Sequence, residues 1–163
     1  MHVAVISDTH LPRGARRLPD ACVGRLRAAD LILHAGDLIA PEVLEALQAL
    51  GPPVVAVHGN VDGPAVVAAL PAERVVDCDG VRVGMVHDAG PASRRLERLR
   101  ARFPDCAAVV FGHSHVPLHE TAGDGFQIFN PGSPTDRRRQ PVHTMGEART
   151  GGGEIAFELV ALD

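Results

Sequence analysis

The sequence predicts an α/β fold in which two sheets pack together, flanked by helices, within a single domain spanning residues 1–163. Three observations predict it. Short apolar runs alternate with helical segments opened by proline through the first seventy residues, which implies right-handed βα crossovers and a largely parallel sheet. The pattern then changes to short runs separated by Gly- and Asp-containing turns, as in hairpins. Finally, 45% hydrophobic and 22% charged residues describe an ordinary globule, and with only 3% aromatic residues its core must be built from Val, Leu, Ile and Ala.

Residues 1–6 read as the first strand, because Val3, Ala4, Val5 and Ile6 form an unbroken apolar run. After a loop over 8–14, Pro19 suits the first turn of a helix over 20–28. Residues 30–34 form the second strand, Pro41 opens a helix that runs to about residue 50, and Gly51 suits its exit. A third strand over 53–58 and a short helix over 64–70 complete the repetition. Strands over 74–78 and 81–86 are joined by Asp79-Gly80, a strong hairpin signal. Residues 93–103 carry Leu96, Leu99 and Phe103 at helical spacing, with arginines on the remaining faces, and 107–111 is a buried-looking strand. The segments 116–120, 126–129, 141–147 and 154–162 look like hairpin-connected strands. Gly151, Gly152 and Gly153 form a tight connection rather than a domain linker, since about ten residues follow them.

The charge balance narrows the function. All sixteen basic residues are arginine, the net charge is −4 and the pI about 6.1, which lacks the basic footprint of a stable duplex binder. Scarce aromatics argue against a stacking platform for single strands. Two local arginine clusters remain, one over 94–102 and one at Arg137, Arg138 and Arg139. The second sits either at the mouth of a site or in a solvated loop. Three cysteines give neither an even disulfide set nor a CxxC pair, and Cys22 and Cys106 lie in apolar surroundings that suit core residues. A reducing, cytoplasmic setting is the expectation. The chain opens directly on a strand pattern, and its apolar runs are far short of a bilayer span, so no membrane partner is expected. Homo-oligomerisation is left open; the apolar stretch at 126–129 is either an interface edge or, more simply, a core strand.

The chemistry concentrates where the apolar runs end. Asp8 and His10 follow the first run, Asp37 the second and Asn60 the third; His87 follows the run at 81–86, and His113 and His115 follow 107–111. Strand ends of an open α/β sheet bring such groups together at one rim. In an extended strand, residues i and i+2 face the same way, so Asp8 and His10 at that spacing can chelate one ion. His113 and His115 can do the same, or diverge toward two ions if they lie in a loop. Gly36 and Gly59, each preceding a candidate ligand, let the backbone pass close to the site. Two Asp, four His and an Asn are too many ligands for one ion and about right for two, which points to a two-metal hydrolase, in particular a phosphoesterase.

The ordered blocks SDTHL at 7–11, HAGDL at 34–38, HGNVD at 58–62, VHDAG at 86–90, GHSHVP at 112–117 and NPGS at 130–133 carry a resemblance across essentially the entire chain. The sequence resembles the calcineurin-like metallophosphoesterase superfamily, and especially its small single-domain bacterial and archaeal phosphodiesterase branch. The resemblance implies a four-layer αββα sandwich of two mixed β-sheets flanked by helices, with a dinuclear site at the edge of the sheets. It assigns Asp8, His10 and His115 to one ion and Asn60, His87 and His113 to the other, with Asp37 bridging. Mixed nitrogen and oxygen ligands suit two divalent transition metal ions, Mn first, with Ni, Fe or Zn as alternatives, better than Mg. The implied reaction is hydrolysis of a small phosphodiester, cyclic nucleotides included, by in-line attack of a hydroxide held between the ions. Nuclease action ranks lower, and a non-catalytic protein-binding scaffold of the same fold, as in a eukaryotic retromer subunit, is the competing class.

Residues around the ligands carry open roles. His34 either steadies a ligand or fills space beside its strand, and His58 either touches substrate phosphate or is a buried imidazole bonded to backbone. Asp62 suits a loop-organising task, accepting amide bonds after Asn60. Asn130, Gly132 and Ser133, with Pro131, form a rigid loop beside the site. Two departures from the family pattern matter. Val61 stands where many catalytic members carry a proton-donating histidine, so the leaving-group proton must come from solvent, a metal-bound water or His58. Asp88-Ala89 stands where relatives have Gly-His, and Asp88 either positions a ligand or caps the turn toward Pro91.

Overall fold

A computed structural model describes all 163 residues. The elements run β1 (His2–Ile6), α1 (Asp20–Ala28), β2 (Leu31–His34), α2 (Pro41–Gln48), β3 (Val54–Ala56), α3 (Pro64–Ala69), β4 (Glu73–Cys78), β5 (Val81–Val86), α4 (Arg95–Arg102), β6 (Ala108–Val110), β7 (Leu118–Thr121), β8 (Gln127–Asn130), β9 (Thr144–Gly151) and β10 (Glu154–Ala161), with one 3-10 turn at Arg13–Ala15. Two five-stranded mixed sheets result, in the orders β10-β9-β1-β2-β3 and β4-β5-β6-β8-β7. With four α-helices flanking them, they make the αββα sandwich expected from the sequence.

Period-two alternation on buried strands builds the layers. Val3 and Val5 of β1, Leu31 and Leu33 of β2, and Ala108 and Val110 of β6 meet Val83, Met85 and Phe129 in the core between the sheets. Ala4, Ile6 and Ile32 face the other way and pack on Cys22 and Leu26 of α1, Val43 and Leu47 of α2 and Val66 of α3. On the outer face of the second sheet, Val109, Phe111, Phe126 and Ile128 pack against Leu99 and Phe103. Strands buried on both faces must be apolar throughout, which is why these runs are so easy to see in the sequence. Phe126 is 2% exposed and Ile128 and Phe129 are fully buried, so the 126–129 stretch is core and not an interface edge. Cys22, Cys78 and Cys106 are buried free thiols, and burial pushes Cys22 up to about 12.

The helices begin where proline placed them, and α1 matches its expected span. The C-terminal third departs from a chain of hairpins. β7 and β8 form a hairpin, as do β9 and β10, but β8 pairs in parallel with β6 while β9 pairs antiparallel with β1. The chain therefore leaves one sheet and enters the other between Asn130 and Thr144, and β9 starts at residue 144 instead of 141. This crossing carries the NPGS block past the C-terminal ends of β1 and β6. No helix is long and apolar enough to cross a membrane.

Candidate metal centre

The parallel strands β1, β2 and β3 of one sheet and β5, β6 and β8 of the other end at one shared rim, where the loops meet. Beyond β1 and β2 the backbone stays paired: Asp8 N donates to Gly36 O at 3.0 Å and His10 N to Asp37 O at 3.1 Å. Asp8 and His10 are not in an extended strand, contrary to the spacing argument. β1 stops at Ile6, and both residues have positive φ, 56° and 48°. Asp37, His113 and His115 share that left-handed backbone at 61°, 70° and 60°. Five candidate ligands thus hold a conformation that L-residues adopt at a cost, a sign that the surrounding contacts dictate where these side chains converge.

Two glycines make the approach possible. A Cβ on Gly36 would lie 2.6 Å from His87 Nδ1, at a φ of 100° that disfavours any side chain. A Cβ on Gly59 would collide with the Asp37 carboxylate. Both were legible as close-approach positions.

The cluster divides into two overlapping groups whose ligand atoms lie within 4.8 Å of one another: Asp8, His10 and His115, and Asp8, Asp37 and His87. Asp37 Oδ2 lies between two imidazoles, 3.3 Å from His10 Nε2 and 3.2 Å from His87 Nε2. Asp8 Oδ1 is 3.4 Å from His115 Nε2 and 3.9 Å from both His10 and His87. Asn60 Oδ1 is 3.0 Å from His87 Nε2 and 3.0 Å from His113 Nδ1, so it joins the outer side of the cluster. His113 and His115 diverge, the second of the two possibilities. His115 is 1% exposed beside Asp8 and His10, whereas His113 is exposed and faces Asn60.

The imidazole tautomers fit metal ligation. His87 Nδ1 donates to Ala35 O at 2.7 Å and His115 Nδ1 to Asp136 O at 2.5 Å, which leaves each Nε2 lone pair turned toward the carboxylates. The Nε2 atoms of His10 and His115 are buried without a hydrogen-bond partner. Buried polar atoms are ordinarily paired, so lone pairs and two carboxylates aimed at one point mark a place built for cations. Without one, a proton takes the role. The nearby carboxylates of Asp37 and then Asp8 raise His10 to about 9. Burial alone would raise the Asp37 carboxyl, but the His10 and His87 imidazoles beside it hold it well below the usual carboxylate range. Burial opposes charge on His87 too, yet Asp37 and Asp8 raise it overall. His115 is lowered, mainly by burial, with the Arg138 charge contributing.

The supporting residues take definite places. His34 is fully buried and links two ligand loops: Gly36 N donates to its Nδ1 at 3.1 Å, so Nε2 carries the proton and donates to Thr9 Oγ1 at 3.1 Å. Burial lowers it to about 4, which keeps it neutral. Asp62 accepts from three amides, Asp37 N at 3.0 Å, Gly59 N at 2.7 Å and Ile39 N at 2.6 Å, and so organises the loops after β2 and β3. Asn130 Nδ2 donates to Gly112 O at 2.9 Å and its Oδ1 accepts from Gly132 N at 2.9 Å, while Ser133 Oγ donates to Asp8 O at 2.8 Å. Asp88 caps its own turn, accepting from Gly90 N at 2.8 Å. His58 is half-buried, its Nδ1 3.4 Å from Gly59 O, and it lines a groove of about 290 Å³ with Asn60, His87, Asp88 and Arg102. Arg102 in this groove, and the carbonyls of Ala35 and Asp136, went unread in the sequence; a backbone carbonyl has no sequence signature.

Fold and cluster together define a metal-dependent phosphoesterase. Residues 1–151 match the calcineurin-like phosphoesterase superfamily domain, and the chain belongs to that family. It is 36% identical over 162 residues to a probable metallophosphoesterase of Methanothermobacter thermautotrophicus, covering 98% of this chain and 92% of that one. Among solved structures it is similar to a Vps29 of Entamoeba histolytica complexed with Zn2+, with a TM-score of 0.77, 23% identity and full coverage of both chains. It is also similar to a novel archaeal phosphodiesterase, with a TM-score of 0.74, 18% identity and coverage of 98% of this chain and all of that one. At these identities the two structures speak for the fold alone.

Proposed function

We propose that the chain is a phosphodiesterase of the small single-domain branch, holding two divalent ions and acting on phosphodiesters. The observation that carries this reading is the pair of overlapping buried acid–imidazole groups, the first with two orphaned Nε2 atoms, set at an open rim. In it Asp8, His10 and His115 would hold one ion, Asn60, His87 and His113 the other, and Asp37 would serve both. The placement of Asp37 Oδ2 close to His10 and His87 supports that last role over Asp8, which lies further from the same two rings. When bound, the ions supply a water of lowered pKa and offset charge gathering on the phosphoryl oxygens. Nitrogen and oxygen donors in this mixture favour Mn, with Ni, Fe and Zn as alternatives.

The chain's own residues then orient and exclude. Nδ1–H bonds to Ala35 O and Asp136 O fix two rings, and the Asp62 amide cluster fixes the Asp37 and Asn60 loops. Val61 donates its backbone N–H to Asp37 Oδ1 at 3.0 Å but offers no side-chain proton. His58, in the adjoining groove, is the nearest candidate to protonate the leaving group, and without a stronger acid activated leaving groups are favoured. Three free cysteines fit a reducing, cytoplasmic setting. The test is steady-state hydrolysis of bis-p-nitrophenyl phosphate by metal-stripped protein reloaded with Mn. Metal-dependent turnover is expected, and its absence at saturating Mn overturns the reading. The 2′,3′- and 3′,5′-cyclic nucleotides, screened under the same condition, then place the natural substrate.

A further inference from the structure

The two arginine clusters have opposite fates in the fold. On α4 the charges are engaged locally. Arg94 pairs with Glu97, Arg100 with Asp124 and Arg102 with Glu73, each at 2.6 Å, while Arg95 stacks over Phe111 and Arg98 donates to the carbonyls of Ala89, Pro91 and Ser93. At the other cluster, Arg16 pairs with Asp136 at 3.2 Å and Arg137 donates to Gln140 O. Arg13, Arg138 and Arg139 are exposed, make no side-chain hydrogen bond and have no carboxylate within 4.0 Å.

These three free guanidinium groups sit on loops tied to the metal centre. Arg13 lies three residues beyond His10, whose carbonyl accepts from Arg13 N at 3.0 Å. Arg138 and Arg139 follow Asp136, whose carbonyl holds His115 and whose carboxylate holds Arg16. Thr135 Oγ1 donates to Thr9 O at 2.6 Å, closing one loop on the other. In a chain of net charge −4, Arg13, Arg138 and Arg139 thus lie without ion-pair partners on the two loops that join at the buried His10–His115 end of the cluster.

We propose that Arg13, Arg138 and Arg139 form a subsite for a second phosphate, so that the preferred substrate is a diester carrying another phosphate one nucleotide from the scissile one. This rests on the phosphodiesterase reading above. Guanidinium groups are the usual partners of phosphate oxygens, and unpaired ones beside a diester-cleaving centre need not break an existing ion pair to bind one. The same chemistry is presented by a dinucleotide and by a longer single strand.

The test compares two esters with one leaving group: thymidine 5′-(p-nitrophenyl phosphate) and its 3′-phosphorylated form, both with Mn-loaded protein. The 3′-phosphorylated ester is expected to have the higher kcat/KM by about tenfold, through KM. The slope of its log–log salt dependence should shrink by about 0.7 for each arginine–phosphate pair removed. In R138S/R139S and in R13S that preference should collapse, whereas R149S, a charge removed elsewhere, should retain it. Fluorescence anisotropy of a labelled hexanucleotide on metal-stripped protein should show the same loss of affinity without any turnover. A preference for the hexanucleotide over the 3′-phosphorylated ester, or the reverse, identifies which source of phosphate is used. Equal rates on the two esters, or a preference untouched by R138S/R139S and R13S, overturn the subsite. Failure of both esters to be hydrolysed with metal overturns the phosphodiesterase reading itself.

Discussion

The two ends of the metal centre are built differently. At one end Asp8, His10 and His115 are 0%, 4% and 1% exposed; Asp8 is held from behind by the His113 amide and by Ser133, and His115 by Asp136. At the other end Asn60 and His113 are exposed and touch each other, and only His87 is buried. A buried ligand is positioned by the fold, whereas an exposed one is free to yield to substrate. On the proposed reading the inner end would hold an ion and the outer end would exchange with water and substrate.

The largest expected break comes at Asp37, where the two ends join. Asp37→Asn should lower kcat/KM by roughly a hundredfold or more, at least ~3 kcal/mol of transition-state stabilisation, and reduce bound metal. Kinetics and metal analysis at saturating Mn check it; values near wild type would put the shared role on Asp8 instead. Next in size is His115→Ala, which empties a fully buried position beside Asp8 and takes the donor from Asp136 O. It should cost about 3 kcal/mol of stability in the metal-free protein by denaturant titration. His113→Ala, on the exposed side, should leave that stability within about 0.5 kcal/mol while still depressing turnover. If the two substitutions destabilise alike, the contrast between the ends is wrong.

Asp62→Asn sharpens the comparison from below. An amide keeps one acceptor oxygen but presents N–H groups to backbone donors, so about 2 kcal/mol of stability should be lost. Metal bound at saturation should fall far less than in Asp37→Asn. A last effect is one of pH. His10 is raised from 6.5 to about 9 in the metal-free protein, so its contribution to stability is fully present below pH 6.5 and is lost as pH rises through about 9. Thermal melts of the metal-free form should therefore decline toward alkaline pH, while with Mn added, where the proposed reading makes His10 a neutral ligand, this component should be absent. Parallel curves for the two forms would remove His10 from the centre.

Much of this was legible because the residues concerned announce themselves. Doubly buried strands are apolar throughout, helices open on Pro41 and Pro64, and Gly36 and Gly59 precede ligands whose approach a Cβ would block. Asp62 could be read as a loop organiser because a carboxylate two residues after Asn60 has amides within reach. The crossing of β9 into the other sheet was not legible, since alternating runs look alike whichever strand they pair with.

By itself, then, the sequence determined the α/β layering and the identity of the residues that gather at the rim, all through local patterns of apolarity, proline and glycine. Only the tertiary structure decided how they gather. Asp8 and His10 converge through left-handed loop backbone held by Gly36 O and Asp37 O, and not through strand alternation. His113 and His115 part toward opposite ends because one is buried against Asp8 while the other meets Asn60. Arg94, Arg100 and Arg102 are ion-paired while Arg138 and Arg139 are free, since an ion pair depends on which carboxylate the fold delivers to within 4 Å. Such outcomes rest on contacts between residues far apart in the chain, and nothing in the local sequence encodes them.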